Sequence, residues 1–326
     1  MHIIVALALL LAGAIALIKG ADWFTDGAGD VARVTGVSAL LIGIILAGIE
    51  PEEMLTAAIA SGRGEAGLAV GNIIGTNITI LSLALGLAAI LAPIHLTSGV
   101  RTQAIIATLA SFPPVILLFM GTVSRLAGVL LLLAFVVYTL VLVRLDRQAL
   151  QRHEALEALE TGKDAADLPR TYTPQERQAY IWRKGRLALL GLVAMAAGGP
   201  AIVEGALRFA TIVGLRQSAV GLTIVSLGTG AEMVALAFIA SRRHQVDLLI
   251  GGIIGSFAYN LLVTLGLAAL IHPLPIDPHI TQLALPIMIV LHIFLLLLIW
   301  LGRIPRWVGV ALLAAYLTYL IVVILR

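Results

Sequence analysis

Long apolar runs, separated by short polar patches, set the pattern of this chain. A membrane-crossing helix needs about 20 apolar residues. On that ruler the chain predicts ten spans, at 2–19, 36–60, 67–92, 101–121 and 125–143, and again at 187–208, 216–240, 247–271, 279–302 and 306–325. Between the two sets lies a polar segment, Arg144 to Arg186, rich in Arg, Glu, Asp, Gln and Ala. Its part from Gln148 to Leu159 reads as a helix, and the segment as a whole reads as a solvated linker. The expected organisation is a first membrane repeat over 1–143, a linker over 144–186 and a second membrane repeat over 187–326. The opening run Ile3 to Ile18 could pass for a signal peptide. It lacks a basic stretch ahead of it and has a partner in the second half, so it counts as a span.

The two halves repeat at an offset of 180 residues. Gly71-Asn-Ile-Ile-Gly-Thr76 aligns with Gly251-Gly-Ile-Ile-Gly-Ser256, Leu85-Gly-Leu-Ala-Ala89 with Leu265-Gly-Leu-Ala-Ala269, and Pro93 with Pro273. Over 71–93 against 251–273, 11 of 23 positions are identical, and they include three glycines and a proline that apolar bias does not align. Ser38 meets Ser218, Gly48 meets Gly228 and Glu52 meets Glu232 at the same offset. Five spans per repeat is an odd number, so the second repeat must enter the membrane from the opposite side. The predicted fold is an all-α integral membrane protein of ten transmembrane helices in two inverted five-helix repeats, a plan typical of secondary transporters.

Composition agrees with that plan. The chain is 60% hydrophobic and 12% charged, with a mean hydropathy of +1.05, whereas a soluble domain carries about 25% charge. It has no Cys, which excludes disulfides, thiol catalysis and Cys metal sites. The net charge of +3 reads as cytoplasmic loop charge rather than nucleic-acid binding. With both termini outside, 16 of the 21 Lys and Arg residues fall on the inner side. That bias orients the chain with a cytoplasmic linker, in a prokaryotic-type inner membrane. The expected partners are the lipid bilayer and inorganic cations; no nucleic acid and no cofactor are expected.

Most of the 18 acidic residues lie in loops, at span ends or in the linker. Glu50, Glu52, Glu53 and Glu232 are the deep exceptions. A charged side chain at a bilayer centre costs at least ~2.5–3.5 kcal/mol on insertion scales, so the cluster must face a cavity, a partner or a cation. Gly48 and Pro51 predict a break in the second span that frees backbone carbonyls. An unwound segment there would let all three glutamates turn into one cavity. Gly228-Thr229-Gly230 predicts a second break beside Glu232. Carboxylates, hydroxyls, amides and carbonyls are hard oxygen donors suited to Ca²⁺, Na⁺ or Mg²⁺. The expected cation ligands are Glu50, Glu52, Glu53, Glu232, Asn260, Thr229, Thr76 and Ser256.

Blander readings stand beside these. Thr76 and Ser256 could bond their own backbone or a neighbouring helix, and Asn77 and Asn260 could serve packing. The Gly71–Gly75 type of spacing serves close helix approach. Glu204 lies one turn from Arg208 and reads as a local ion pair. Asp22, Asp26 and Asp30 read as the solvated mouth of the first connection, and no histidine is expected at the midplane.

The two repeats resemble the cation/calcium exchanger superfamily, which comprises sodium/calcium and proton/calcium exchangers. The resemblance rests on Ser218, Gly221-Leu-Thr223, Gly228-Thr229, Glu232, Gly251 and Gly255-Ser256 in the second half. In the first half it rests on Gly36-Val-Ser38, Gly48, the Glu cluster, Gly71-Asn72 and Gly75-Thr76-Asn77. It implies two inverted repeats around a paired acid site. Counting back from the Gly-Thr or Gly-Ser motif, the family's acid falls on Glu53 and on Met233. Counting forward from the motif glycine with a shorter loop, it falls on Glu52 and Glu232, the pairing adopted here as central. Ile49, Glu50, Gly230 and Ile80 stand where the family carries hydroxyl or amide ligands. The function implied is a secondary cation antiporter that exchanges a divalent cation, foremost Ca²⁺, for Na⁺ or H⁺ by alternating access. The missing hydroxyls lean toward H⁺. A ten-helix drug/metabolite-type carrier, or an exchanger of Mg²⁺, Mn²⁺ or K⁺, is the alternative. An enzyme is not expected, since no zinc-protease or serine-nucleophile motif is present.

Overall fold

The computed structural model describes residues 2–35, 37–48, 50–64, 66–96, 98–161, 174–213, 227, 230–278 and 280–325. Helix α1 (His2–Thr35) is followed by α2 (Ala39–Ile42), which continues as a π-helical turn (Gly43–Ala47), and by α3 (Pro51–Gly62). Next come α4 (Ala66–Thr79), a π-turn (Ile80–Ala84), α5 (Leu85–Leu91), strand β1 (Ile94–His95), α6 (Ser98–Ala110), α7 (Phe112–Phe119), β2 (Thr122–Val123) and α8 (Arg125–Thr161). The second half has α9 (Pro174–Val213), α10 (Ala231–Arg242), α11 (Val246–Tyr259), a π-turn (Asn260–Thr264), α12 (Leu265–Ile271) and β3 (Leu274–Pro275). It closes with a π-turn (Ile280–Ala284), α13 (Leu285–Leu301), β4 (Arg303–Ile304) and α14 (Arg306–Leu325). Five described stretches are long and apolar enough to cross a membrane: Ile4–Ala32, Ala69–Leu91, Arg125–Asp146, Val246–Ile271 and Ile280–Leu301.

The repeat is visible in the backbone itself. From α3 and α10 through α5 and α12, helix starts, helix ends and π-turns recur 180 residues apart. Strand β1 pairs antiparallel with β4, and β2 with β3, so each repeat is pinned to the other at both ends of the bundle. Gly86 on α5 lies against Gly309 on α14, and Gly128 on α8 lies against Gly266 on α12, the same contact made twice with the roles exchanged.

Helices α1 and α9, the first of each repeat, run antiparallel. A Cβ on Gly205 would lie 2.9 Å from Ala6 O, one on Gly198 3.0 Å from Gly13 O, and one on Gly20 2.7 Å from Gly191 O. One index falls as the other rises, which is the signature of inverted repeats. Glycines at seven-residue spacing let the two backbones touch. At the buried centre, α2 and its π-turn also meet α11 through glycines. A Cβ on Gly251 would overlap Leu40 O, and one on Gly48 would overlap the backbone of Gly255.

Two expectations about the ends of helices are corrected. The first span does not stop at residue 19, because α1 runs on to Thr35 and carries Asp22, Asp26 and Asp30 on one face at i, i+4 spacing. These acids are paired: Lys184 Nζ lies 2.9 Å from Asp26 and 2.8 Å from Asp30, and Arg243 lies 2.5 Å from Asp22 and 3.1 Å from Asp26. The carboxylates of Asp30 and then Asp26 hold the Lys184 ammonium above its ordinary pKa. The segment Arg144–Arg186 is not wholly solvated either. Helix α8 continues unbroken into it as far as Thr161, and Asp146 is buried, accepting from Ser38 N at 3.2 Å where α2 begins. Residues 162–173 lie outside the described residues.

Candidate functional site

The chain between α2 and α3 leaves helical geometry at Glu50 (φ −117°, ψ 83°), and Pro51 starts α3 where its missing N–H is not needed. The predicted break is therefore present, and it aims Glu50 and Glu53 in different directions. Glu53, in the first turn of α3, points at α4 of its own repeat. Asn72 Nδ2 donates to Glu53 Oε2 at 2.6 Å, and Thr76 Oγ1 donates to Glu53 Oε1 at 2.6 Å. Asn72 and Thr76 are four residues apart, so α4 presents both on one face. Glu50 reaches the other repeat instead: Asn260 Nδ2, on the π-turn after α11, donates to Glu50 Oε2 at 2.9 Å. Thr264 Oγ1 in turn donates to Asn260 Oδ1 at 3.3 Å. Glu50, Glu53, Thr76 and Asn260 are all fully buried.

The remaining sequence-predicted residues fall as follows. Glu232 is buried in the first turn of α10. Ser256 is buried on α11, and its Oγ has no hydrogen-bond partner among the described residues. Thr229 and the side chain of Glu52 lie outside the described residues. Glu53 and Glu50 engage partners on different repeats, and the expectation that all three glutamates turn into one cavity falls in part on the Glu52 side chain, outside the described residues. Among the described residues no three His, Asp or Glu side chains converge as a metal cluster. The arrangement is two carboxylate–amide pairs, one within the first repeat and one between the repeats, with Glu232 as a further buried acid.

Asn72 was absent from the expected ligands; its i, i+4 relation to Thr76 was the signal available. The expectation of a midplane without histidine is also corrected. His292, halfway along α13, is buried with Nδ1 2.8 Å from Met288 O and its ring edge-on to Phe257 at 4.7 Å. The pair Glu204–Arg208 forms as expected, at 2.6 Å.

Two inverted helical repeats that cross at glycines, with buried carboxylates at the break before α3 and in the first turn of α10, fit a membrane cation transporter. The chain belongs to the sodium/calcium exchanger protein family, whose sequence profile matches residues 5–144 and 186–325. It is 31% identical to the inner membrane protein YrbG of Escherichia coli K12 over 323 residues, covering 97% of this chain and 96% of that protein. It is 27% identical to the sodium/calcium exchanger MaX1 of Methanosarcina acetivorans over 342 residues, covering 96% of this chain and 97% of that one. The solved structure of the sodium-calcium exchanger NCX_Mj superposes with a TM-score of 0.81 at 25% identity, covering 97% of this chain and 98% of that one.

Proposed function

We propose that this chain is a secondary active antiporter that exchanges a divalent cation, Ca²⁺, for H⁺ or Na⁺ at a site held between its two repeats. The Glu50–Asn260 contact carries this reading, because it joins a buried carboxylate of one repeat to an amide of the other at 2.9 Å. A site that straddles two inverted repeats changes its access when their elements shift against each other. Glu53, Asn72 and Thr76 bring hard oxygens alongside it, and Glu232 adds another carboxylate. Carboxylate, amide and hydroxyl oxygens are the ligands that Ca²⁺ takes. Glu52 and Thr229 join the set on the sequence alone.

Sodium sites need neutral hydroxyl and amide oxygens beside the acids, and Ile49, Glu50, Gly230 and Ile80 stand where such ligands would be, which favours H⁺ as the counter-ion. The likeness to the sodium/calcium exchanger MaX1 favours Na⁺ as the second reading. The excess of basic residues on the side of Lys184, Arg243 and Arg303 supports a cytoplasmic position for that side, with both termini outside.

The deciding experiment is Ca²⁺ flux in proteoliposomes under an imposed pH gradient or an imposed Na⁺ gradient, with Mg²⁺, Mn²⁺ and K⁺ as competitors. Saturable Ca²⁺ flux driven by one of the two gradients is expected. Flux that needs no counter-ion would overturn the antiporter reading, and efflux that ignores pH but starts on adding Na⁺ would fix the counter-ion as Na⁺.

A further inference from the structure

The internal symmetry shows what the second half of the site lacks. Helices α3 and α10 begin 180 residues apart, at Pro51 and Ala231, and α4 and α11 end 180 apart, at Thr79 and Tyr259. Glu53 therefore maps onto Met233, Asn72 onto Gly252, and Thr76 onto Ser256. The packing agrees with that register. A methyl group on Gly252 would lie 3.9 Å from Met233 Sδ and 2.9 Å from Leu236 Cδ2, so Met233 leans on α11 where Glu53 leans on α4. Met233 is fully buried. In the first repeat the hydroxyl of Thr76 is satisfied by Glu53. In the second, the equivalent hydroxyl of Ser256 is buried and has no partner among the described residues. A buried hydroxyl without an acceptor is destabilising, and this one sits where a carboxylate would accept from it.

We infer that Met233 stands where symmetry calls for an acid, and that this chain has one carboxylate–hydroxyl cation subsite, Glu53 with Thr76, rather than two. Met233 is thus a specificity-determining residue. Its thioether carries no charge and is a poor ligand for hard cations. The cation is held from the first repeat, the Glu50–Asn260 contact and Glu232, and Ser256 is not among its ligands. The inference rests on the cation-binding reading above, and the test separates the two.

The test compares Thr76→Ala with Ser256→Ala in the full-length protein, reading Ca²⁺ affinity from the Ca²⁺-dependent shift of its melting temperature in detergent and from uptake into proteoliposomes. Thr76→Ala should weaken Ca²⁺ binding about tenfold or more, since it strips a charge-assisted hydrogen bond from Glu53. Ser256→Ala should leave affinity and uptake within about twofold of the parent, because it removes a hydroxyl that satisfies nothing. Met233→Glu should then make Ser256 matter: Ser256→Ala in that background should weaken Ca²⁺ binding where it was silent before. An equal loss from Thr76→Ala and Ser256→Ala would overturn the inference while leaving the cation site intact. A parent protein that shows neither Ca²⁺ stabilisation nor uptake would instead overturn the cation reading. If Met233→Glu does not fold, the Thr76/Ser256 comparison decides alone.

Discussion

Among the helix pairs that glycine brings into backbone contact in this bundle, two sit in opposite surroundings. The crossing of α2 with α11 lies inside: 94% of an 18-residue apolar part of Val246–Ile271 is buried. The antiparallel pair α1 and α9 lies further out: only 28% of an 18-residue apolar part of α1 is buried. At the inner crossing, Gly48 stands two residues before Glu50, and Gly255 stands beside Ser256 and five residues before Asn260. Backbone contact there fixes the height of one acid against its amide partner. At the outer pair, glycines at seven-residue spacing hold two helices together along their length, with ion pairs to Lys184 and Arg243 at one end. The same device serves as a locator in one place and as a seam in the other.

Breaking the inner crossing should have the largest effect. Gly251→Val would drive a branched side chain into the Leu40 carbonyl, a backbone atom that cannot yield, and should abolish monodisperse folded protein on size exclusion. A well-folded variant would show that the crossing is not a locator. Next come the acids that the crossing places. Glu53→Gln should reduce Ca²⁺ uptake at least about tenfold with little change in melting temperature, because a neutral amide keeps the shape but loses the charge. The same change at Glu52 tests the other register; normal uptake by Glu53→Gln with a dead Glu52→Gln would return the site to the Glu52–Glu232 pairing.

Smaller effects are expected at the outer seam. Gly198→Ala places its methyl 3.0 Å from Gly13 O and against the Leu17 side chain, a strain that a few tenths of an ångström relieve. The melting temperature should fall by only a few degrees. A loss as complete as that from Gly251→Val would erase the distinction between the two contacts. The smallest effect belongs to Arg243→Gln. Its partners Asp22 and Asp26 are each about a third exposed or more, and pairs of that kind contribute about 0–1 kcal/mol and weaken with salt. The neighbouring Lys184 pair keeps its contribution at neutral pH. A group whose pKa is raised by folding stabilises below its ordinary range and loses that effect only as pH climbs above it.

Most of the fold was legible because hydropathy and an internal repeat are local signals. The spans around α4–α5 and α11–α12 fell within a few residues of their predicted limits, and the 180-residue offset anticipated the matching helix ends and π-turns. The end of α1 was not legible. Asp22, Asp26 and Asp30 depress hydropathy and so read as a loop, although their four-residue spacing marks a helix face; their cations come from residues 184 and 243, which only the folded chain brings near. At the site, Glu50, Glu53 and Asn260 could be singled out as acids and an amide placed where lipid would forbid them, and all three are buried. What each one touches depends on the break before Pro51, whose geometry turns Glu50 toward the second repeat and leaves Glu53 facing the first. Composition cannot supply that direction.

The exchanged pairings, β1 with β4 and β2 with β3, bear on how the molecule is made. A ribosome delivers Gly86 and Ile94 long before it delivers Gly309 and Ile304, their neighbours in the finished bundle. The first half must therefore wait in the bilayer with unsatisfied surfaces until the last helices arrive. Neither half can mature alone, and assembly is governed by contacts of large sequence separation, the slow kind. A nascent chain halted after its first repeat would be an orphan with exposed glycine faces, a ready substrate for membrane quality control.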